Sequence, residues 1–194
     1  MKIRIVAASL LAASLIGQSL TARFAIAGPA GDAAARAENL LARGETLPAY
    51  SAFNTAQHAF WQASPLVFRK AILVDRAGGF GDYDIRADAE FSAGDTLTVY
   101  AEPVGFGIDR QSGRFAIAFN TDFAIESDSG QVLARSDDLF SINHRSRSQN
   151  RDFNMILSLV VPNLKPGSYV GVFTVKDRIS GKTGEFRVPF NVDS

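Results

Sequence analysis

The sequence contains no cysteine among its 194 residues. This one absence excludes disulfides, thiol nucleophiles, thiolate metal sites and the lipidated cysteine of a bacterial lipoprotein. It does not exclude export, because an oxidising compartment permits disulfides without requiring them. Histidine is scarce: His58 and His144 stand far apart without ligand spacing, so no zinc site is expected. There is no excess of either charge, since 20 Lys and Arg balance 20 Asp and Glu. Nothing therefore argues for nucleic acid as a partner. No Gly-x-Ser-x-Gly elbow is present, so serine-nucleophile catalysis has no signature. Gly78-Gly79-Phe80-Gly81 lacks the strand–loop–helix setting of a phosphate cradle. No cofactor is expected.

What the chain does have begins with a targeting segment. Lys2 and Arg4 precede an apolar run from Ile5 to Ile16, too short to span a bilayer. Ala25-Ile26-Ala27 supplies small residues for cleavage before Gly28. Residues 1–27 therefore read as a signal peptide, with an uncleaved anchor as the other reading. Removal takes away Lys2, Arg4 and Arg23, leaving 17 basic against 20 acidic residues, a net charge of −3. The expected location is the bacterial periplasm or the medium, with no stable membrane span after cleavage.

Residues 28–64 carry the helical signal. Asp32 is placed to cap a helix over Ala33 to Arg43, and Gly44 sits where a C-terminal cap glycine belongs. A second helix is expected from Leu47 to Ala63, where Ala49, Ala52, Phe53, Ala56, Phe60 and Ala63 form an apolar stripe. Pro65 ends it. The pair superficially resembles one tetratricopeptide repeat, but a lone repeat cannot bury its own face and no second copy follows. The two readings are a hairpin packed on the rest of the chain, or a protein-binding or dimerising helix pair.

From residue 65 to residue 194 the period changes to two. Strands are expected from Leu66 to Val74, irregularly from Tyr83 to Phe91, and from Thr96 to Glu102, ending at Pro103. Further strands follow from Arg114 to Ile125, Gln131 to Ala134, Asp138 to Asn143, Met155 to Val161, Tyr169 to Val175 and Glu185 to Val192. Short turns between such runs are the pattern of a β-sandwich. Met155, Leu157, Leu159 and Val161 share one face, as do Tyr169, Gly171, Phe173 and Val175, and both faces should be core. Lys165-Pro166-Gly167-Ser168 has the order of a type II turn and predicts a hairpin between these two strands.

Leu164-x-Pro166-Gly167-x-Tyr169 resembles the tyrosine corner that opens strand F in fibronectin-type and immunoglobulin-like sandwiches. That resemblance implies a buried Tyr169 ring whose hydroxyl bonds backbone a few residues upstream. The stretch from Phe91 to Pro103, the C-terminal strands and the Ser180-Gly181-Lys182 turn resemble uncharacterised secreted bacterial proteins with immunoglobulin-like sandwiches. The expected fold is mainly β: an immunoglobulin-like antiparallel β-sandwich with an N-terminal α-helical hairpin.

Candidate site residues are few. Trp61 reads as a seal between helix and sheet or as a stacking platform. Phe80, Tyr83, Tyr100 and Phe106, with Glu102, Asp84 and Arg86, read either as packing or as an aromatic cleft for a sugar. Glu102 with Asp109, or Asp82 with Asp84, has the composition of a glycosidase pair but no demonstrable separation. Glu126, Asp128 and Ser129 only faintly match a calcium loop. His144 to Arg151 is a basic stretch in which Arg145, Arg147 and Arg151 read as solvated loop or as an anion contact. The expectation is an exported, non-enzymatic binding or assembly module with an envelope protein or glycan partner. The alternative is a carbohydrate-binding module using Trp61 and the loop aromatics.

Overall fold

A computed structural model describes residues 28–193; the expected signal segment, residues 1–27, lies outside them. Two helices come first, α1 (Pro29–Ala42) and α2 (Thr46–Ala63). Pro29 starts α1 earlier than the Asp32 cap expected from sequence, because its fixed φ suits the first helical turn. Asp32 instead lies inside that turn, its amide on the Gly28 carbonyl at 3.0 Å, where its charge faces the positive end of the helix. Gly44, at φ 76°, closes α1: its amide reaches the Leu41 carbonyl at 2.9 Å and the Glu45 amide reaches Leu40 at 3.0 Å. The chain turns straight into α2, and Ala37, Leu40, Ala49 and Ala56 are buried between the helices.

The strands are β1 (Val67–Ala77), β2 (Tyr83–Ile85), β3 (Glu90–Phe91), β4 (Thr96–Val104) and β5 (Asp109–Gln111), then β6 (Arg114–Ser127), β7 (Val132–Ser146), β8 (Met155–Val160), β9 (Gly167–Asp177) and β10 (Thr183–Val192). They form two sheets. One has the order β2-β1-β4-β8; the other runs β3-β10-β9-β6, with β5 and β7 both paired to β6. The fold is the expected mainly β sandwich behind a helical hairpin. Between the sheets, Val99, Leu157, Phe119, Phe173 and Val175 are wholly buried. Phe173 stacks on Phe186 with centroids 4.8 Å apart.

Four local expectations change. β8 and β9 are not a hairpin: β8 pairs β4 in the four-stranded sheet, and β9 pairs β6 and β10 in the other. The Pro-Gly segment is a crossover between sheets, and Gly167 opens β9 at φ 155° rather than near the +80° of a type II turn. β4 continues through Pro103 to Val104, because β8 stops pairing at Ala101 and leaves an edge where a missing N–H does no harm. The two short strands expected between residues 131 and 143 are one strand, β7, with a bulge where Asp138 adopts φ 50°. Tyr83 to Phe91 splits between sheets, and β3 runs parallel to β10, the exception to an otherwise antiparallel sandwich.

The corner itself is as the family resemblance implies. Tyr169 is buried, and its hydroxyl donates to the Lys165 carbonyl at 2.6 Å. That carbonyl is thus satisfied by a side chain four residues on. Tyr169→Phe is expected to cost about 1 kcal/mol, the net worth of one such bond. A thermal melt matching wild type would remove the hydroxyl from the account.

Candidate functional site

The hairpin meets the sandwich through the C-terminal half of α2: the last two turns make the direct contacts, and Tyr50, Asn54 and Gln57 face Gln149 to Asp152 across a surface cleft. There the chain passes from helix to strand through Pro65 and Leu66, which cross very close to two glycines. A Cβ on Gly105 would stand 2.2 Å from the Pro65 carbonyl oxygen, and one on Gly184 would stand 2.5 Å from that of Leu66. Gly105 also has φ +81°, so glycine is required there twice over.

Trp61 locks this crossing. Its indole N–H donates to the Phe106 carbonyl at 2.7 Å, and its ring meets the edge of Phe106 at 5.1 Å. Lys182, from the β9–β10 turn, adds a second lock. Its ammonium donates to the carbonyls of Gln62, Ser64 and Gly105 at 2.8, 2.7 and 2.8 Å. Two of these lie at the C-terminal end of α2, where free carbonyls and the helix dipole favour a cation. The turn carrying Lys182 is fixed by buried Asp177, which accepts from the amides of Gly107 at 2.5 Å and Ile179 at 2.8 Å and from the Ser180 hydroxyl. From the β7–β8 connection, Gln149 reaches His58 at 3.2 Å, and Arg151 donates to Gln57 at 3.1 Å while lying over the Trp61 ring.

Beyond this joint the hairpin stands clear of the strands. α2 contains no Asp, Glu, Lys or Arg in 18 residues. Yet Leu47, Tyr50, Phe53 and Phe60 are 80, 65, 58 and 68% exposed, with Leu41 of α1 beside them at 60%. Exposed single apolar residues are ordinary; three large ones, Leu41, Tyr50 and Phe53, exposed along one groove are not. Ala37, Glu38, Leu41, Thr46, Ala49, Tyr50 and Phe53 line a groove of about 390 Å³ between the helices on this side.

The residues singled out in the sequence divide between this joint and other places. Trp61 and Arg151 belong to it; burial pushes the Arg151 guanidinium below its usual value. Arg145 lies at the end of β7 and Arg147 just beyond, both exposed, so the basic stretch is partly strand rather than one loop. Phe80, Tyr83, Tyr100 and Glu102 do come together on the outer face of the four-stranded sheet, but closed rather than as a cleft. Tyr100 is wholly buried, donating to Glu102 at 3.0 Å and accepting from the Gly81 amide at 2.8 Å. Its burial pushes the phenol up, with Glu102 adding to the effect against the Gly81 amide. Tyr83 packs on Tyr100 at 4.5 Å and bonds the Lys70 ammonium, while Arg69 pairs with Glu102 at 2.7 Å and lies over Phe80.

Phe106 is elsewhere, buried in the core against Phe119 and Phe153. Asp82 and Asp84 are both engaged by Arg76, at 2.7 and 2.8 Å, and Arg86 pairs with Asp75 at 3.0 Å. Glu102 lies on the four-stranded sheet and Asp109 on β5 of the other, so that carboxylate pair is split between layers. Glu126 is held by Arg187, and Ser127 bonds Ser129 at 2.8 Å.

One further polar cluster sits at the β7 bulge. Buried Asp122 accepts from the Asp138 amide at 2.8 Å and from the Lys176 ammonium at 2.7 Å. Burial pushes its carboxyl up, but these two donors outweigh burial and hold it below the usual carboxylate range. With the folded value depressed, its stabilisation is present above the unfolded value of about 4 and is lost as pH falls through the folded value. Urea melts from about pH 7 to about pH 3 should show this loss, and Asp122→Asn should flatten the acid limb. An unchanged limb would contradict it.

No family model matches the chain, and no curated protein matches it in sequence. Among solved structures, the chain is similar to CopC from Methylosinus trichosporium OB3b at 20% identity, covering 64% of this chain and 94% of that one, TM-score 0.31. It is also similar to a superoxide reductase (neelaredoxin) from Ignicoccus hospitalis, at 12% identity, 65% and 82% coverage and TM-score 0.32. A conjugative transposon lipoprotein from Bacteroides eggerthii DSM 20697 matches at 10% identity, 66% and 98% coverage and TM-score 0.30. Likeness at this level says nothing of what the chain does. No helix among the described residues is long and apolar enough to cross a membrane.

Proposed function

We propose that the protein is an exported binding or assembly module of the bacterial cell envelope, without chemistry of its own, that docks through its helical hairpin onto an uncharged apolar protein surface. One observation carries this reading: an 18-residue helix without a charged residue leaves four large apolar side chains in water. α2 buries one face against α1, and the sandwich leaves Leu47, Tyr50, Phe53 and Phe60 exposed. The export half of the reading rests on the positive n-region, apolar run and cleavage residues before Gly28. The sugar-binding alternative finds less support, since Trp61 and Tyr100 spend their polar atoms inside the fold.

The test is a paired substitution, Tyr50→Ser with Phe53→Ser. Both side chains are exposed, so the melting temperature should move by no more than about 2 °C, the effect of ~0.5 kcal/mol. Capture of its envelope component by the tagged protein should be lost. Capture that survives the substitution would remove the hairpin as the docking element.

A further inference from the structure

We infer that the surface covering the hairpin is a second copy of the hairpin itself, the two pairs of helices meeting about a twofold axis as a four-helix bundle. This rests on the docking reading above and names its partner. A twofold interface sets one patch against the same patch, so any charge near the axis would face its own like. α2 meets that constraint throughout its length, with no charged side chain in 18 residues. Glu38, on α1, is the only charged residue that lines the groove.

The same face also carries both halves of a packing contact. Tyr50 and Phe53 stand out as a ridge beside Ala37 and Ala49, whose small side chains leave the groove of about 390 Å³. A ridge and a groove on one surface can interdigitate with their rotated copy, as helix surfaces do in bundles. The size is adequate. α2 is roughly 27 Å long at 1.5 Å per residue, and two adjacent helices span roughly 20 Å across. A face of those dimensions is roughly 540 Å² in projection, or roughly 1,100 Å² over two copies, just above the ~1,000 Å² total that a specific interface needs.

Charge argues against a membrane surface as the occupant. A helix that lies on a membrane surface carries Lys and Arg on its polar face, and α2 has neither. A partner for this helix has to present an uncharged apolar face of its own, and the hairpin of a second copy is such a face.

Sedimentation velocity of the full chain, in the form the expressing cell processes it, tests the inference. Across about 1 to about 100 µM the mass should rise reversibly from one copy to two, by mass action. Tyr50→Ser with Phe53→Ser should raise the dissociation constant at least about tenfold, with an unchanged far-UV dichroism spectrum. Should that variant misfold, Leu41→Lys puts a charge at an exposed position of the groove itself and should also separate the copies. Thr55→Lys, on the far side of α2, should behave as wild type.

A single-copy mass at every concentration overturns the inference, as does a dimer that ignores these substitutions. A single-copy protein whose capture of an envelope component still needs Tyr50 and Phe53 defeats self-association alone and leaves the docking reading standing. Loss of both defeats both. A single-copy protein that binds phosphatidylglycerol vesicles through Tyr50 and Phe53 overturns the inference in favour of a lipid surface.

Discussion

Replacing Lys182 with Met is expected to lower stability by about 2–3 kcal/mol, or ~4–12 °C in melting temperature for a chain of this size. The ammonium serves three carbonyls, those of Gln62, Ser64 and Gly105. Bonds to a charged donor are each worth ~1.5–3 kcal/mol. Three on one ammonium are not additive, and water satisfies part of the loss, which is why the total stays near the value of one or two. Lys182→Arg should recover only a fraction, because a planar fork cannot meet three convergent acceptors as a point charge does. The change should also be local. With the clamp gone the base of α2 loosens, and Trp61, which shares the joint, should emit further to the red. A variant with wild-type melting and emission would mean the hairpin is held by something else.

Gly105→Ala should cost more, about 3 kcal/mol or above. Two effects add. A side chain at φ +81° pays the left-handed penalty of about 1–3 kcal/mol. The added carbon would also lie 2.2 Å from the Pro65 carbonyl oxygen, and backbone must move to relieve it. Gly113→Ala separates the two. It has a similar φ of +76° with nothing within 4 Å of the added carbon, so it should lose only about 1 kcal/mol. Equal losses at the two positions would show that the close crossing of Pro65 over Gly105 contributes nothing. A greater loss at Gly105 would place the hairpin–sandwich crossing among the tight points of the fold.

These two sites also mark the limit of what the sequence discloses. Strands with one buried face, such as β4 and β8, announce themselves by alternation, since period two is a local property. The tyrosine corner was legible through its family resemblance, which a short motif can carry because Tyr169 reaches a carbonyl only four residues upstream. The sheet to which a strand belongs is not local. Pro166-Gly167 suits a tight turn and an inter-sheet arch equally well, and only the partners of β8 and β9 tell them apart.

Lys182 stands out in the sequence only as part of a turn; its clamp leaves no mark there, since its acceptors lie 77 to 120 residues away. The docking face was half legible. Phe53 and Phe60 sit on a helical stripe, but a stripe reads the same whether it meets a core or water. Distinguishing them needs the third dimension, where α2 packs on α1 and meets the sandwich through its C-terminal half. The aromatic cluster misled in the opposite sense: Tyr100 and Glu102 do converge, yet they close on each other and on the Gly81 amide.

Because the chain has no cysteine, one introduced thiol reports on one place. The most direct measurement is the rate at which a maleimide labels Thr46→Cys, beside Tyr50 and Phe53 in the groove, in the native extract, relative to Thr55→Cys on the opposite side of α2. If the exposed face of the hairpin is a docking surface, the thiol at position 46 is protected there while that at 55 reacts freely, and dilution of the purified protein restores reaction at 46. Equal and rapid labelling at both positions in the extract would contradict the account.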